Sequence, residues 1–204
     1  MANYTWVDLD IPEAATLADL HGVQWDLRNA REWAKSLLAR RFAEPPELDL
    51  VEPLSVAVGV MYSRPFVTGV RSRLGEADLA IFTVEQRQAH DRLRSYRDKH
   101  VAHSVNAFEE NYPRANYCAE RVREEGITSI SCGGARVLGL SSSDLNDVVE
   151  LSEIMLKHVE KRMAAEQERL LPIVRNMPLD EVLTSGHKSF SVPRNDTIHV
   201  RRKR

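Results

Sequence analysis

Apolar residues recur at spacings of three and four over residues 24–43. Trp25 or Leu27, Ala30, Trp33 or Ala34, Leu37 or Leu38 and Arg41 or Phe42 fall on one side of a helix. A shorter helix is expected before it, with Pro12 in the first turn and Glu13 near its positive end. Glu44-Pro45-Pro46 stops the pattern, because proline has no N–H to donate and disfavours helix in the residue before it. A second helix is predicted over about 48–73. Its buried side carries Leu50 or Val51, Leu54, Val58, Met61 or Tyr62 and Phe66, with a kink at Pro65 and an end at Gly75. A third spans about 83–107, opened by the capping box Thr83-x-x-Gln86. Ala89, Leu93, Tyr96, His100, His103 and Ala107 recur along it in alternating steps of four and three, a coiled-coil-like seam in which two knobs are imidazoles.

The period changes to two over 117–132. A three-residue loop, Glu124-Glu125-Gly126, predicts a hairpin with Cys118 opposite Cys132 and Val122 opposite Thr128. One face then carries Cys118, Val122, Ile130 and Cys132, and the other Ala119, Arg121, Arg123, Ser129 and Ser131. Gly133-Gly134 allows a further strand over 135–140. Ser141-Ser142-Ser143-Asp144 caps a last, long helix to about Asn176. Its apolar side holds Val148, Leu151, Met155, Val159, Met163, Leu170 and Val174; Pro172 kinks or ends it, and Pro178 forbids more. The expected fold is mainly α: an antiparallel bundle of four to five helices with a small β-hairpin or meander before the last long helix. One domain over 1–184 holds the ribbon as an insertion at about 117–140, and 185–204 form a basic arm, extended or disordered.

Composition narrows the class. With 43% apolar and 28% charged residues among 204, the chain is neither disordered nor low in complexity. No apolar run approaches the ~20 residues of a membrane helix, and residues 1–6 lack the start of a signal peptide, so the expected location is cytoplasmic with no membrane partner. Two cysteines make neither a disulfide framework nor a zinc set, and Cys118 and Cys132 are expected as small buried apolar residues. His187 and His199 are isolated, no metal-ligand spacing occurs, and no metal or cofactor is expected. The net charge of −2 hides an uneven distribution. Residues 1–27 carry −5 with no Lys or Arg, residues 87–103 carry +3, and the tail from Arg194 carries +4.

Chemistry concentrates in Arg94-Ser95-Tyr96-Arg97-Asp98-Lys99-His100-Val101-Ala102-His103-Ser104. Arg97 and His100 are i,i+3 neighbours on a helix, while Arg97 and His103 lie roughly 9 Å apart along the axis. The phrase Arg-Asp-Lys-His-Val-Ala-His-Ser, with its Arg-polar-(x)4-His pattern late in a helical-bundle sequence, resembles the HEPN superfamily of prokaryotic defence and toxin ribonucleases, most of all its abortive-infection members. The resemblance implies metal-independent RNA cleavage at a site shared by two subunits, hence a homodimer, with an antitoxin or regulatory protein as a further partner. It implies that His103 is the general acid or base, that Arg97 holds the phosphate and that Asp98 orients one of them; His100 stays open as the alternative imidazole. Arg94, Lys99, Ser104, Arg121 and Arg123 are the candidate RNA contacts. Val105 stands where many toxin members have Tyr. Two other readings stand beside this one. The bundle is an inactive RNA-binding or protein-interaction module, or it is a structural helical protein whose basic helix meets an acidic partner, its own residues 1–27 included.

Overall fold

The computed structural model describes residues 5–43, 48–68, 72–101, 109–137 and 139–184. A single 3-10 turn, Pro12–Ala14, leads directly into α1 (Ala15–Arg41). The two helices expected over residues 12–43 are therefore one. Nothing between Ala15 and Gln24 breaks the chain except Gly22, which a helix interior tolerates at a cost of about 1 kcal/mol. A 3-10 turn at Leu48–Leu50 opens α2 (Val51–Ser63). Pro65 ends this helix rather than kinking it. The chain passes into a 3-10 turn at Arg64–Phe66 and leaves extended at Val67, and the Leu74 N–H returns to the Pro65 carbonyl at 2.8 Å.

One helical turn, α3 (Glu76–Leu79), precedes α4 (Val84–Tyr96), which opens with the expected Thr83/Gln86 capping box. From Arg97 to Val101 the helix widens into a π turn, and residues 102–107 of the expected helix lie outside the described residues. The β-ribbon of β1 (Glu109–Asn116) and β2 (Ser129–Arg136) follows, with the single turn α5 (Val122–Glu125) at its tip. α6 (Ser142–Arg175) starts at the Ser141/Asp144 capping box and continues through Pro172, and α7 (Leu179–Thr184) begins just after Pro178.

The long helices form an up-down-up-down bundle. α1 packs against α2 and α6, and α4 against the same two. Direction follows from the pairs across each seam. Lys35 meets Glu153 and Gln24 meets Glu160, so α1 and α6 run antiparallel. Arg92 meets Asp144 and Gln86 meets Glu150, so α4 and α6 do too. α1 buries Leu20, Val23, Leu27, Ala30, Ala34 and Leu37, while α6 answers with Leu145, Val148, Leu151, Met155 and Val159. Of the sequence alternatives, Leu27, Ala34 and Leu37 take the core; Trp25 faces solvent, and Trp33 and Leu38 pack at its margin.

Asp78 ties the connection before α4 to α6. Its carboxylate accepts from the Gly75 N–H (2.8 Å), His158 Nε2 (2.8 Å) and Arg162 Nη1 (2.6 Å). Burial alone would raise this carboxyl, but the three donors outweigh it and hold it below the usual carboxylate range.

The ribbon differs from the expectation in its first strand, which is Glu109–Asn116 rather than 117–123. Cys132 lies opposite Pro113, not Cys118, and Ile130 lies opposite Ala115. Thr128 closes the ribbon by donating its N–H (2.9 Å) and its hydroxyl (3.0 Å) to the Asn116 carbonyl. The chain from Tyr117 to Ile127, including Arg121 and Arg123, is therefore the connection at the tip. Gly126, at φ 67°, ends the α5 turn. Residues 135 and 136 belong to β2 and make no third strand among the described residues. Contrary to expectation, Cys118 is half-buried and Cys132 exposed, because the ribbon stands out from the bundle with no core beneath it.

The buried imidazole of the bundle belongs to His90, one step off the expected seam. Its Nδ1 and the Tyr62 hydroxyl are hydrogen-bonded at 2.9 Å, and Phe66 sits edge-on at 4.5 Å between centroids. Burial, reinforced by Arg94, lowers the imidazole pKa to about 4, although Asp91 on α4 pulls the other way. In the folded protein this histidine is neutral, whereas unfolded it titrates near 6.5. Its contribution is therefore complete above pH 6.5 and lost as pH falls toward 4, by at most ~3 kcal/mol. Urea melts at pH 7 and pH 5 are expected to show this loss, and His90→Asn, which keeps a partner for Tyr62, is expected to flatten it. An unchanged slope in H90N would contradict the assignment.

Candidate functional site

Four helix ends meet at the end of the bundle from which the ribbon departs. α1 finishes there at Arg41, α2 and α6 begin there, and α4 runs out into the π turn. The Leu140 N–H donates to the buried Ser55 hydroxyl (3.1 Å), which pins the entry to α6 on α2. Tyr96 closes α4 with its ring against Gly59 of α2; a Cβ at Gly59 would stand 3.3 Å from two ring carbons. Burial, aided by Glu52 and Asp144 and opposed by Arg41, pushes the Tyr96 phenol up to about 12. It is therefore a neutral hydroxyl at physiological pH.

The next residue is Arg97. Its Nη1 donates to Asp98 Oδ1 at 2.7 Å, and the two side chains are 35% and 49% exposed, so the pair is open to a ligand. π turns insert a residue into the helical ladder and recur at functional positions. Here the turn carries Arg97, Asp98 and exposed Lys99 together. His100 lies on the same turn, and its side chain is outside the described residues, as are His103 and Ser104 altogether.

The other candidates separate. Arg94 is half-buried, its Nε sealed from solvent with no hydrogen-bond partner among the described residues. Its charge acts on His90 and Tyr62, which places it toward the core rather than on an open phosphate surface. Arg121 and Arg123 sit at the ribbon tip, roughly 25 Å along the strands from their base. Arg121 is ion-paired with Glu125, and its side chain hydrogen-bonds Cys118, lowering that thiol. Arg92, outside the candidate set, spends its guanidinium on Asp144 (3.0 Å) and Asp147 (2.6 Å).

Sequence alone placed Met61 or Tyr62 on the buried side of α2, but did not single out His90 or the Asp78–His158–Arg162 cluster. His90 adjoins Ala89 of the seam but is flanked by Gln88, Asp91 and Arg92, so its neighbours did not mark it as buried; Asp78 and His158 are eighty residues apart and carried no signal. Among the described residues no group of three or more His, Cys, Asp or Glu is placed to hold a metal ion, and no helix is long and apolar enough to cross a membrane. No family model, no curated protein and no solved structure matches the chain.

The Gly59–Tyr96 seat is testable through stability. Gly59→Val forces a branched side chain into the ring and is expected to cost about 2 kcal/mol in a chemical melt. Arg97→Ala, which removes only a partly exposed ion pair, is expected to cost under about 0.5 kcal/mol. Equal losses in both would place Arg97 in the structural framework instead.

Proposed function

We propose that this protein is a HEPN-like endoribonuclease that cleaves RNA without a metal ion, leaving 2′,3′-cyclic phosphate and 5′-hydroxyl ends, in cellular defence or toxin-type growth control. The observation that supports the reading is the Arg97–Asp98 pair: it lies solvent-accessible on a π turn at one end of a four-helix bundle, with His100 and His103 two and five residues further along the sequence. In the reaction, a base takes the proton of the 2′-hydroxyl, and the 2′-oxygen attacks phosphorus. The bond from phosphorus to the 5′-oxygen breaks, and an acid returns a proton to that oxygen. His103 is the assigned acid–base group, and His100 is its alternate. Arg97 neutralises the non-bridging oxygens as charge gathers on phosphorus, a task suited to a forked, permanently charged guanidinium. Asp98, already hydrogen-bonded to Arg97, fixes the direction of that fork.

A homodimer that sets two such turns side by side would build one cleft from both copies. DNA resists cleavage, for it has no 2′-hydroxyl to attack. An antitoxin or another regulatory protein is the partner expected to restrain such an activity.

Incubation with mixed RNA in EDTA is expected to yield cyclic-phosphate ends, and Arg97→Ala or His103→Ala to lower the rate at least 100-fold, with circular dichroism unchanged. RNA retained in a gel shift but left uncut would support the inactive binding module instead. Neither binding nor cleavage, with both variants behaving as wild type, would remove the proposal.

A further inference from the structure

The end of the bundle opposite the ribbon carries a groove of about 670 Å³, lined by Leu9, Ile11, Ala15 and Ala18 together with Asp10 and Asp19. Arg169 of α6 marks its level on the bundle, donating to the Glu13 carbonyl at 2.7 Å and to Glu166 at 2.8 Å. Large apolar side chains are exposed on the segments that reach this end: Trp6, Leu9, Leu171, Leu179 and Leu183.

We propose that this groove is the docking site of the chain's own residues 185–204, an intramolecular contact independent of the ribonuclease reading. Charge is the first ground. Asp8, Asp10, Glu13 and Asp19 lie along the groove segment, and residues 1–27 contain no Lys or Arg, whereas residues 185–204 carry six Lys and Arg against Asp196 alone. Asp19 already accepts from the Ser72 N–H at 2.8 Å, so it contributes field rather than a further hydrogen bond. Arg169 is one opposing cation among the described residues, and its pairing with Glu166 blunts it.

Reach is the second ground. From Arg169 the chain runs one and a half turns to the end of α6, crosses three residues and ends α7 at Thr184. That places Thr184 within roughly 30 Å of the Arg169–Glu13 contact. The eight residues to Val192 span up to about 26 Å when extended, comparable with that upper bound, and the full 20 up to about 66 Å. A tethered segment sees its site at millimolar effective concentration, so a weak contact suffices. Chemistry is the third ground. Phe190 and Val192, two apart, would point the same way from an extended segment and match the apolar floor of Ile11, Ala15 and Ala18. Arg201-Arg202-Lys203-Arg204 would then lie toward Asp8, Asp10 and Glu13.

The test uses the full chain with Cys118→Ala and Cys132→Ala. One variant adds Ala14→Cys and Val192→Cys; the control adds Lys161→Cys, an exposed position on α6, with the same Val192→Cys. Under mild oxidant at micromolar protein and low salt, the Ala14 pair is expected to close as an intrachain disulfide at least tenfold faster than the control. That excess is expected to fall below threefold in 0.5 M NaCl. Equal rates for the two pairs, or a predominantly interchain product, would overturn the proposal. A second measurement needs no substitution: trypsin is expected to cut after Lys188 and Arg194 at least tenfold more slowly in the intact protein than in a free peptide of residues 185–204. Cleavage at the peptide's rate would equally overturn it.

Discussion

The fold rests on the apolar seam between α1 and α6. These two helices, 27 and 34 residues long, run antiparallel along their lengths. Leu20, Val23, Leu27, Ala30, Ala34 and Leu37 repeat in steps of three and four on α1, and Leu145, Val148, Ser152, Met155 and Val159 do the same on α6. Each fully buried leucine or valine contributes about 2 kcal/mol relative to exposure, and the alanines at 30 and 34 let the backbones approach. The ion pairs flanking the seam, Lys35–Glu153 and Arg28–Glu160, are about half exposed and contribute little. Burial sets the pairing, and charge trims its edges.

α4 depends on that pair for its position. Its surface is mostly polar, and it docks through Ala89, His90, Leu93 and Tyr96. His90 fills a site between Tyr62, Phe66 and Phe82, so the bundle's most polar helix is held by a histidine that must stay neutral. One turn further on, Tyr96 rests on Gly59, and the helix opens immediately into the turn bearing Arg97 and Asp98. The Arg97–Asp98 pair there follows a packed helix end while its own side chains are partly exposed, the combination that the proposed phosphate contact needs.

Much of this was legible from residue order. The steps of three and four marked α1 and α6, and Thr83/Gln86 and Ser141/Asp144 marked two helix starts, because capping chemistry is local. Of the ribbon only the second strand was legible: β1 lies at Glu109–Asn116, and the expected first strand forms the tip. Pro113 argues against a strand, yet in a two-stranded sheet both strands are edges, and an edge accepts proline. Without a core beneath it, no apolar alternation fixed the pairing. At the candidate site, Arg97 and Asp98 lie adjacent in sequence and were legible together. The inward turn of Arg94 and the burial of His90 depend on α2 and α6 arriving from elsewhere, so the seam pattern on α4 alone pointed to His100 and His103.

The central claim is that an RNA phosphate lodges at the Arg97–Asp98 turn. Side-chain Nε–Hε NMR spectra of the arginines, titrated with a 2′-O-methyl RNA that cannot be cut, test it most directly. The account predicts that Arg97 moves earliest and most, with Arg121 and Arg123 at the ribbon tip nearly still. A titration in which the tip arginines respond and Arg97 does not would contradict it.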